Sequence, residues 1–300
     1  MKISRVVLYF VIVIFAFIFN FYLRPIKGNP NVDSEYKKSR AYVNDLYKSD
    51  EYFKKSMLDV EDYNMYYAVI DASIHDDRDI TIPCGDRCSN FGLVTEAVML
   101  DHPELISFRL TGVYSIRNNH TIHYQNHYNL SRIQTVLGTR RIEREMENIR
   151  RDTKNMTDAE KIVYVYDYVG SHPYDDIFMY NHSNQSAYSF FTKGSTVCAG
   201  FAKASQIIFQ NIGIKSYLAF SNDHAWNFVE YKGKYYIFDA TFGASISDKK
   251  SRIFYSGLGS TTEGEMNLMY EEYYPEIEKK PLANVIGLFN NQKKNYPIID

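Results

Sequence analysis

Between residues 194 and 241 the hydrophobic period of the chain switches from that of a helix to that of strands, and a single turn decides how the strands pair. Phe201, Ala202, Ser205, Ile208, Phe209 and Ile212 recur at helical spacing through residues 199–211. Gly213 supplies a helix stop, and Gly194 and Ser195 lie ahead of the helix as turn and N-cap material. Residues 214–220 then read as a strand, and residues 225–231 and 234–240 as the two arms of a hairpin about Lys232-Gly233. With a two-residue turn, Tyr231 faces Lys234, Trp226 faces Asp239 and His224 faces Thr241, so His224 and Asp239 are diagonal neighbours on one face. A three-residue loop with a glycine bulge shifts the register by one and sends them to opposite faces.

The same stretch carries Cys198, His224 and Asp239 in that order, the chemistry of a thiol nucleophile, its base and the group that orients the base. Cys198 falls at or just before the first helical turn, where unpaired backbone N–H groups and the helix dipole favour an anion. A thiolate is stabilised there, and the thiolate is the reacting form. The N–H groups of the same turn suit the oxyanion of a tetrahedral intermediate. Taken singly, each residue has a plainer reading. A lone Cys is most often a small buried hydrophobe, His224 a satisfied strand histidine and Asp239 a strand-end turn former.

Three blocks carry a family resemblance: Gly-Ser-Thr-Val-Cys-Ala-Gly-Phe-Ala from Gly194 to Ala202, His224-Ala225-Trp226-Asn227, and the segment from Tyr235 to Asp239-Ala240-Thr241. Together, and in this order, they resemble the transglutaminase-like superfamily. The likeness extends upstream through residues 157–176 and 186–191, to cover about a third of the chain. The resemblance implies an α+β, papain-like core with the Cys helix packed on an antiparallel sheet that bears His224 and Asp239. It also implies acyl transfer on amides of protein or peptide substrates, a cell-wall peptide among them, by crosslinking, deamidation or hydrolysis. This chemistry requires no cofactor and no metal. Gln185 and Tyr188 are candidates for a side-chain oxyanion donor just upstream of the nucleophile, and Trp226 is expected to pack over the His–Asp pair and screen it from water. A non-catalytic binding or scaffold protein of the same fold, at a cell surface or wall, is the alternative, and the intact Cys, His and Asp weigh against it.

The N-terminal end has a different character. Lys2 and Arg5 precede an apolar run of 18 residues from Val6 to Leu23 that is interrupted by Asn20 and closed by Arg24-Pro25. As a helix it is about 27 Å long, close to the hydrocarbon thickness of a bilayer. No small-residue cleavage site and no lipid-accepting Cys follow it. Residues 1–27 are therefore expected to be a retained signal anchor with the globular part outside the cytoplasm. The alternative is secretion after cleavage. The flanking charges are similar on both sides and do not set the orientation. Cysteine use agrees with export: Cys84 and Cys88, around Gly85-Asp86-Arg87, suit a small disulfide and leave Cys198 as the free thiol. Half a metal site at Cys84 and Cys88 is the alternative, but no second Cys pair exists to complete it.

The remaining regions are expected as an α/β segment over 28–150, the catalytic core over 151–245 and an extension of that core over 246–300. A net charge of −2 argues against a nucleic-acid partner. In the first segment, residues 63–74 and 91–100 read as helices, residues 105–116 and 121–128 as strands joined by a polar turn, and residues 131–151 as a helix. The inner side of that helix is expected to carry Ile133, Val136, Leu137, Ile142, Met146 and Ile149. His120, His123 and His127 do not converge, because strand alternation sets 120 and 123 on opposite faces. Thr157 and Glu160 form a capping-box signature for a helix that ends by His172-Pro173.

Overall fold

The computed structural model describes residues 51–241 apart from 76, 109–112, 118–119, 127–129, 176–183 and 221–223. The expected membrane segment over 1–27 and the extension over 246–300 lie outside the described residues. Among the described residues no helix is long and apolar enough to cross a membrane.

Three helices, α1 (Tyr52–Met57), α2 (Tyr63–His75) and α3 (Phe91–Asp101), are interleaved with β1 (Asp79–Pro83). Strands β2 (Val113–Arg117) and β3 (Thr121–Gln125) follow, then α4 (Arg132–Thr153), α5 (Asp158–Gly170), α6 (Ala187–Lys193) and α7 (Cys198–Asn211). The described chain closes with β4 (Ser216–Phe220), β5 (Ala225–Tyr231) and β6 (Lys234–Phe238). The strands form two antiparallel sheets, ordered β1-β3-β2 and β4-β5-β6. The architecture is the expected mixture of helices and antiparallel sheet, with the α7 helix lying against the second sheet through the Asn227 amide, which donates to the Ala202 carbonyl at 3.0 Å.

Strand β5, at the centre of the second sheet, is buried on both faces, as its alternation shows. Val229 and Tyr231 point into a cluster with Met146 of α4, Ile162 and Tyr166 of α5, Phe190 of α6 and Phe209 of α7. Trp226 and Phe228 point into another, with Phe91 and Val98 of α3 and Tyr124 of β3. Polar bonds tie the two halves as well. The Gln206 amide of α7 donates to the Leu100 carbonyl at 3.1 Å. Asp101, at the end of α3, accepts the Phe53 and Lys54 N–H groups at 2.9 Å each and so satisfies the first turn of α1 from outside that helix.

The capping box expected at Thr157 and Glu160 is formed at the head of α5. Thr157 Oγ1 accepts the Glu160 N–H at 3.3 Å and Glu160 Oε2 accepts the Thr157 N–H at 2.9 Å. Ser131 and Gln134 form the same box at the head of α4. Replacing Thr157 with alanine should lower stability by about 1 kcal/mol, read from the urea midpoint at constant slope. No loss would mean that the box is ornamental to α5.

Three expectations are corrected, and one strand was not anticipated. Of the strand expected over 105–116, Val113–Arg117 is strand, but residues 105–108 are buried in tight turns in which the Ile106 N–H donates to the Glu104 carbonyl and the Phe108 N–H to the Leu105 carbonyl, each at 2.8 Å. Strand β1 was not anticipated from its short run ending in Pro83. It is an edge strand, where a proline without an N–H is tolerated. Leu137, placed on the inner side of α4, is 59% exposed. The inner stripe passes instead through Thr135, Gly138 and Thr139, all buried. Gly194 is the expected turn residue ahead of α7 and closes α6 with φ 81°, but the N-cap of α7 is Val197 in extended conformation rather than Gly194 or Ser195. Helix α4 also runs across residue 150, and its Ile142, Met146 and Ile149 share a cluster with α7.

Candidate active site

The hairpin turn takes the two-residue form. Lys232 and Gly233 both adopt positive φ, 53° and 76°, the geometry whose twist suits a tight hairpin. Tyr231 pairs with Lys234 and Asn227 with Phe238. That is the even register, and it puts His224 and Asp239 on one side. His224 Nε2 meets Asp239 Oδ2 at 2.6 Å.

Asp239 is itself held. It is 1% exposed, and its other oxygen accepts the Thr241 N–H at 3.0 Å and the Thr241 hydroxyl at 2.5 Å. The Asp-Ala-Thr block is thus a local turn that fixes the carboxylate from its own strand end. Trp226 stacks on the His224 ring with centroids 5.8 Å apart and planes at 21°, and it is buried. Its indole N–H has no hydrogen-bond partner among the described residues.

Cys198 is the first residue of α7 and is half-buried. Burial alone would push its thiol up. The hydrogen bond and positive charge of His224, the Ala225 N–H and the Tyr174 hydroxyl together outweigh burial and hold the thiol below its ordinary value. Burial likewise favours neutral His224, but the Asp239 carboxylate and the Cys198 sulfur overcome it and push the imidazole up to about 10. With Nε2 engaged by Asp239, Nδ1 is the nitrogen left for the sulfur. Both shifts favour the thiolate and imidazolium forms of the pair over the neutral ones.

Loop 194–197 is braced to deliver Cys198. Thr196 is fully buried; its hydroxyl donates to the Asn184 carbonyl at 2.6 Å and lies 2.7 Å from Ser189 Oγ. Tyr174 bridges to Thr196 through the backbone, and Asp175 N–H donates to the Thr196 carbonyl at 2.9 Å. Gly200 makes the close approach tolerable, since a Cβ there would lie 2.0 Å from Thr196 Oγ1.

The upstream candidates fall differently. Gln185 sits beside this loop, its carbonyl accepting from Lys203 of α7 at 3.2 Å. Tyr188 turns its ring onto α4, where a Cβ at Gly138 would lie 2.5 Å from its Cδ2, and no bond joins it to Cys198. The glycine in α4 admits the ring into the interhelix contact. Tyr174, which had no expected role, is set against the nucleophile by the structure.

Cys84 and Cys88 are joined by a disulfide with Cα atoms 5.0 Å apart. His123 faces Asp79 of β1 at 3.0 Å and His120 faces Asp86 at 3.4 Å, while residue 127 lies outside the described residues.

No protein-family model matches the chain and no curated protein matches it closely. The chain is similar in structure to a TGase. That crystal structure is 16% identical over 46% of this chain and 45% of its own, with a TM-score of 0.32. A second solved structure, a candidate cysteine protease from Cytophaga hutchinsonii, is 21% identical over 33% of this chain and 37% of its own, with a TM-score of 0.29. This chain thus matches less than half the length of either.

Replacing Asp239 with alanine removes the acceptor that holds His224 and the charge that keeps it protonated. Burial is then opposed by the Cys198 sulfur without Asp239, and the imidazole pKa falls. Alkylation of Cys198 at pH 7 should slow by about tenfold, the equivalent of roughly one pKa unit. An unchanged rate would show that Asp239 does not act through His224.

Proposed function

We propose that this protein is a thiol enzyme of the transglutaminase-like class, acting by acyl transfer or hydrolysis on amide bonds of protein or peptide substrates. The observation that carries the reading is His224, bonded to Asp239 at 2.6 Å on one side and to the Cys198 sulfur on the other. A base oriented by a buried carboxylate beside a thiolate at a helix start is the geometry such chemistry needs.

The Cys198 thiolate attacks the amide carbonyl carbon, and the C=O electron pair moves to oxygen. Backbone N–H groups at the head of α7 face that oxyanion. As the carbonyl re-forms, the C–N bond breaks and His224 gives its proton to the departing nitrogen, leaving a thioester. Water or a second amine then attacks the thioester, gives its proton to the now neutral imidazole, and frees the thiolate. No step calls for a metal or cofactor.

We also place the chain at a membrane through residues 1–27, with its globular part outside the cytoplasm. The apolar run and the Cys84–Cys88 disulfide support that placement. A cell-wall or surface peptide is then the nearest amide substrate.

The test uses the full chain with hydroxylamine as the resolving amine. A blocked glutaminyl-glycine dipeptide and an alanyl-containing wall-type peptide serve as acyl donors, with hydroxamate and an acyl adduct on Cys198 read by mass. Hydroxamate that disappears in Cys198→Ala supports the reading. Absence of any adduct, combined with alkylation of Cys198 at an ordinary thiol's rate, would leave a binding protein of the same fold.

A further inference from the structure

Tyr174 makes two contacts with the nucleophile that no other described side chain combines. Its Oη accepts the Cys198 backbone N–H at 3.4 Å, and its hydroxyl hydrogen is shared with the Cys198 sulfur. The first contact puts the phenol oxygen in front of the N–H group at the head of α7, the place where the oxygen of a reacting carbonyl would sit. The second aims an O–H donor at the atom that carries the negative charge before attack.

The Tyr174 ring is positioned independently of these bonds. Its backbone bridges to Thr196 and its ring packs 5.9 Å from that of Phe201 on α7. Phe201 and Thr196 are both buried, so the phenol hinges from a rigid base. A long, poorly optimised N–H···O contact of 3.4 Å is weak and easily exchanged.

We infer that Tyr174 is a catalytic residue whose hydroxyl follows the negative charge from the Cys198 sulfur to the oxyanion of the tetrahedral intermediate. The inference rests on the thiol-enzyme reading above. Before attack, the hydroxyl donates to the thiolate. As the S–C bond forms, the sulfur loses its charge and the carbonyl oxygen gains it. The incoming oxygen takes the Cys198 N–H from the phenol oxygen, and the phenol O–H swings to that same oxygen. No proton leaves Tyr174; when the carbonyl re-forms, the donor is released, and the proton for the departing group still comes from His224. The oxyanion thus receives one backbone and one side-chain donor, the role the sequence had offered to Gln185 or Tyr188.

Two reagents separate this role from simple tuning of the thiolate. Iodoacetamide alkylates sulfur by displacement at a saturated carbon and forms no oxyanion. p-Nitrophenyl acetate acylates the same sulfur through a tetrahedral oxyanion. Both are run on the full chain at one pH for the wild type, Tyr174→Phe and His224→Ala. The phenylalanine ring keeps the packing against Phe201. Alkylation of Tyr174→Phe should fall several-fold and acylation by about tenfold beyond that, the lower part of the range for losing one oxyanion donor. Equal falls with both reagents would overturn the oxyanion role, as would unchanged rates or a faster acylation, the last marking Tyr174 as an obstruction in that place. His224→Ala keeps the two readings apart. If it slows alkylation while Tyr174→Phe leaves both rates alone, the thiol–imidazole pair stands and Tyr174 is only packing. If neither variant moves either rate, the enzyme reading itself fails.

Discussion

Alkylation of Cys198 by iodoacetamide at pH 7 should fall by about tenfold or more when His224 is replaced with alanine, because each unit of thiol pKa is a factor of ten in thiolate. In the wild type, burial opposes the thiolate, and His224 supplies the hydrogen bond and charge that reverse it. Removing the imidazole leaves burial to act on the sulfur with the Ala225 N–H and the Tyr174 hydroxyl as its remaining donors, and the thiol rises. Part of the gain from a low pKa is returned as weaker intrinsic nucleophilicity, so the rate changes less than the thiolate fraction. The direction survives, since a thiol that stays protonated at pH 7 presents little thiolate to react. The two reactions diverge on the alkaline side. Above about pH 10 the imidazolium loses its proton. Alkylation, which needs no acid, then continues, while amide cleavage, which needs a proton for the leaving nitrogen, declines. The check is a pair of pH–rate profiles on wild type and His224→Ala. If both proteins alkylate as ordinary free thiols, Cys198 is no nucleophile and the acyl-transfer mechanism is lost with it.

The second large effect is structural and lies two residues from the thiol, at Gly200. Gly200→Ala should destabilise the protein by about 2 kcal/mol, within the usual cost of overpacking a filled site. Helix propensity pulls the other way, alanine being better than glycine in a helix interior by about 1 kcal/mol. The clash wins because the new Cβ would sit 2.0 Å from Thr196 Oγ1 and 2.9 Å from Thr196 Cβ, so the side chain cannot escape by rotation alone. Moving Thr196 stretches its bonds to the Asn184 carbonyl and Ser189. It also drags Val197 and Cys198, so alkylation should slow in the surviving folded protein. Urea unfolding of Gly200→Ala, Thr196→Ala and the double variant checks the cause. Removing the Thr196 hydroxyl should make Gly200→Ala cheaper, a coupling that distant sites do not show. Strictly additive losses would place the strain somewhere other than Thr196.

Much of the site was readable because it is built from local rules. The helix beginning at Cys198 and the glycine that stops it follow from apolar spacing and from backbone freedom at Gly213, whose φ is 81°. The meeting of His224 with Asp239 reduces to the parity of one turn, and Lys232-Gly233 took the two-residue form. The stacking of Trp226 on His224 follows from the same register, two residues along one strand face. The misreadings share a cause. Leu137 looked like an inner residue by spacing, yet the helix is turned so that Gly138 meets Tyr188, and a glycine contributes nothing to a hydrophobic period. Tyr188 was drawn toward the thiol by its place in the chain and is held at α4 by that contact.

The amino-acid sequence by itself determined the helix, the hairpin and the capping box of α5, because turn residues, alternation and capping act within a few residues, and it left the hairpin register as two alternatives. The tertiary structure alone decided which groups surround the sulfur. Tyr174 is 24 residues from Cys198 in the chain, and it reaches the thiol through a backbone bridge to Thr196. The Ala225 N–H arrives from the second sheet, and Thr196 settles against α7 because position 200 has no side chain. Such contacts depend on how closely two packed surfaces approach, a property of the filled interior that leaves no periodic trace in the order of residues.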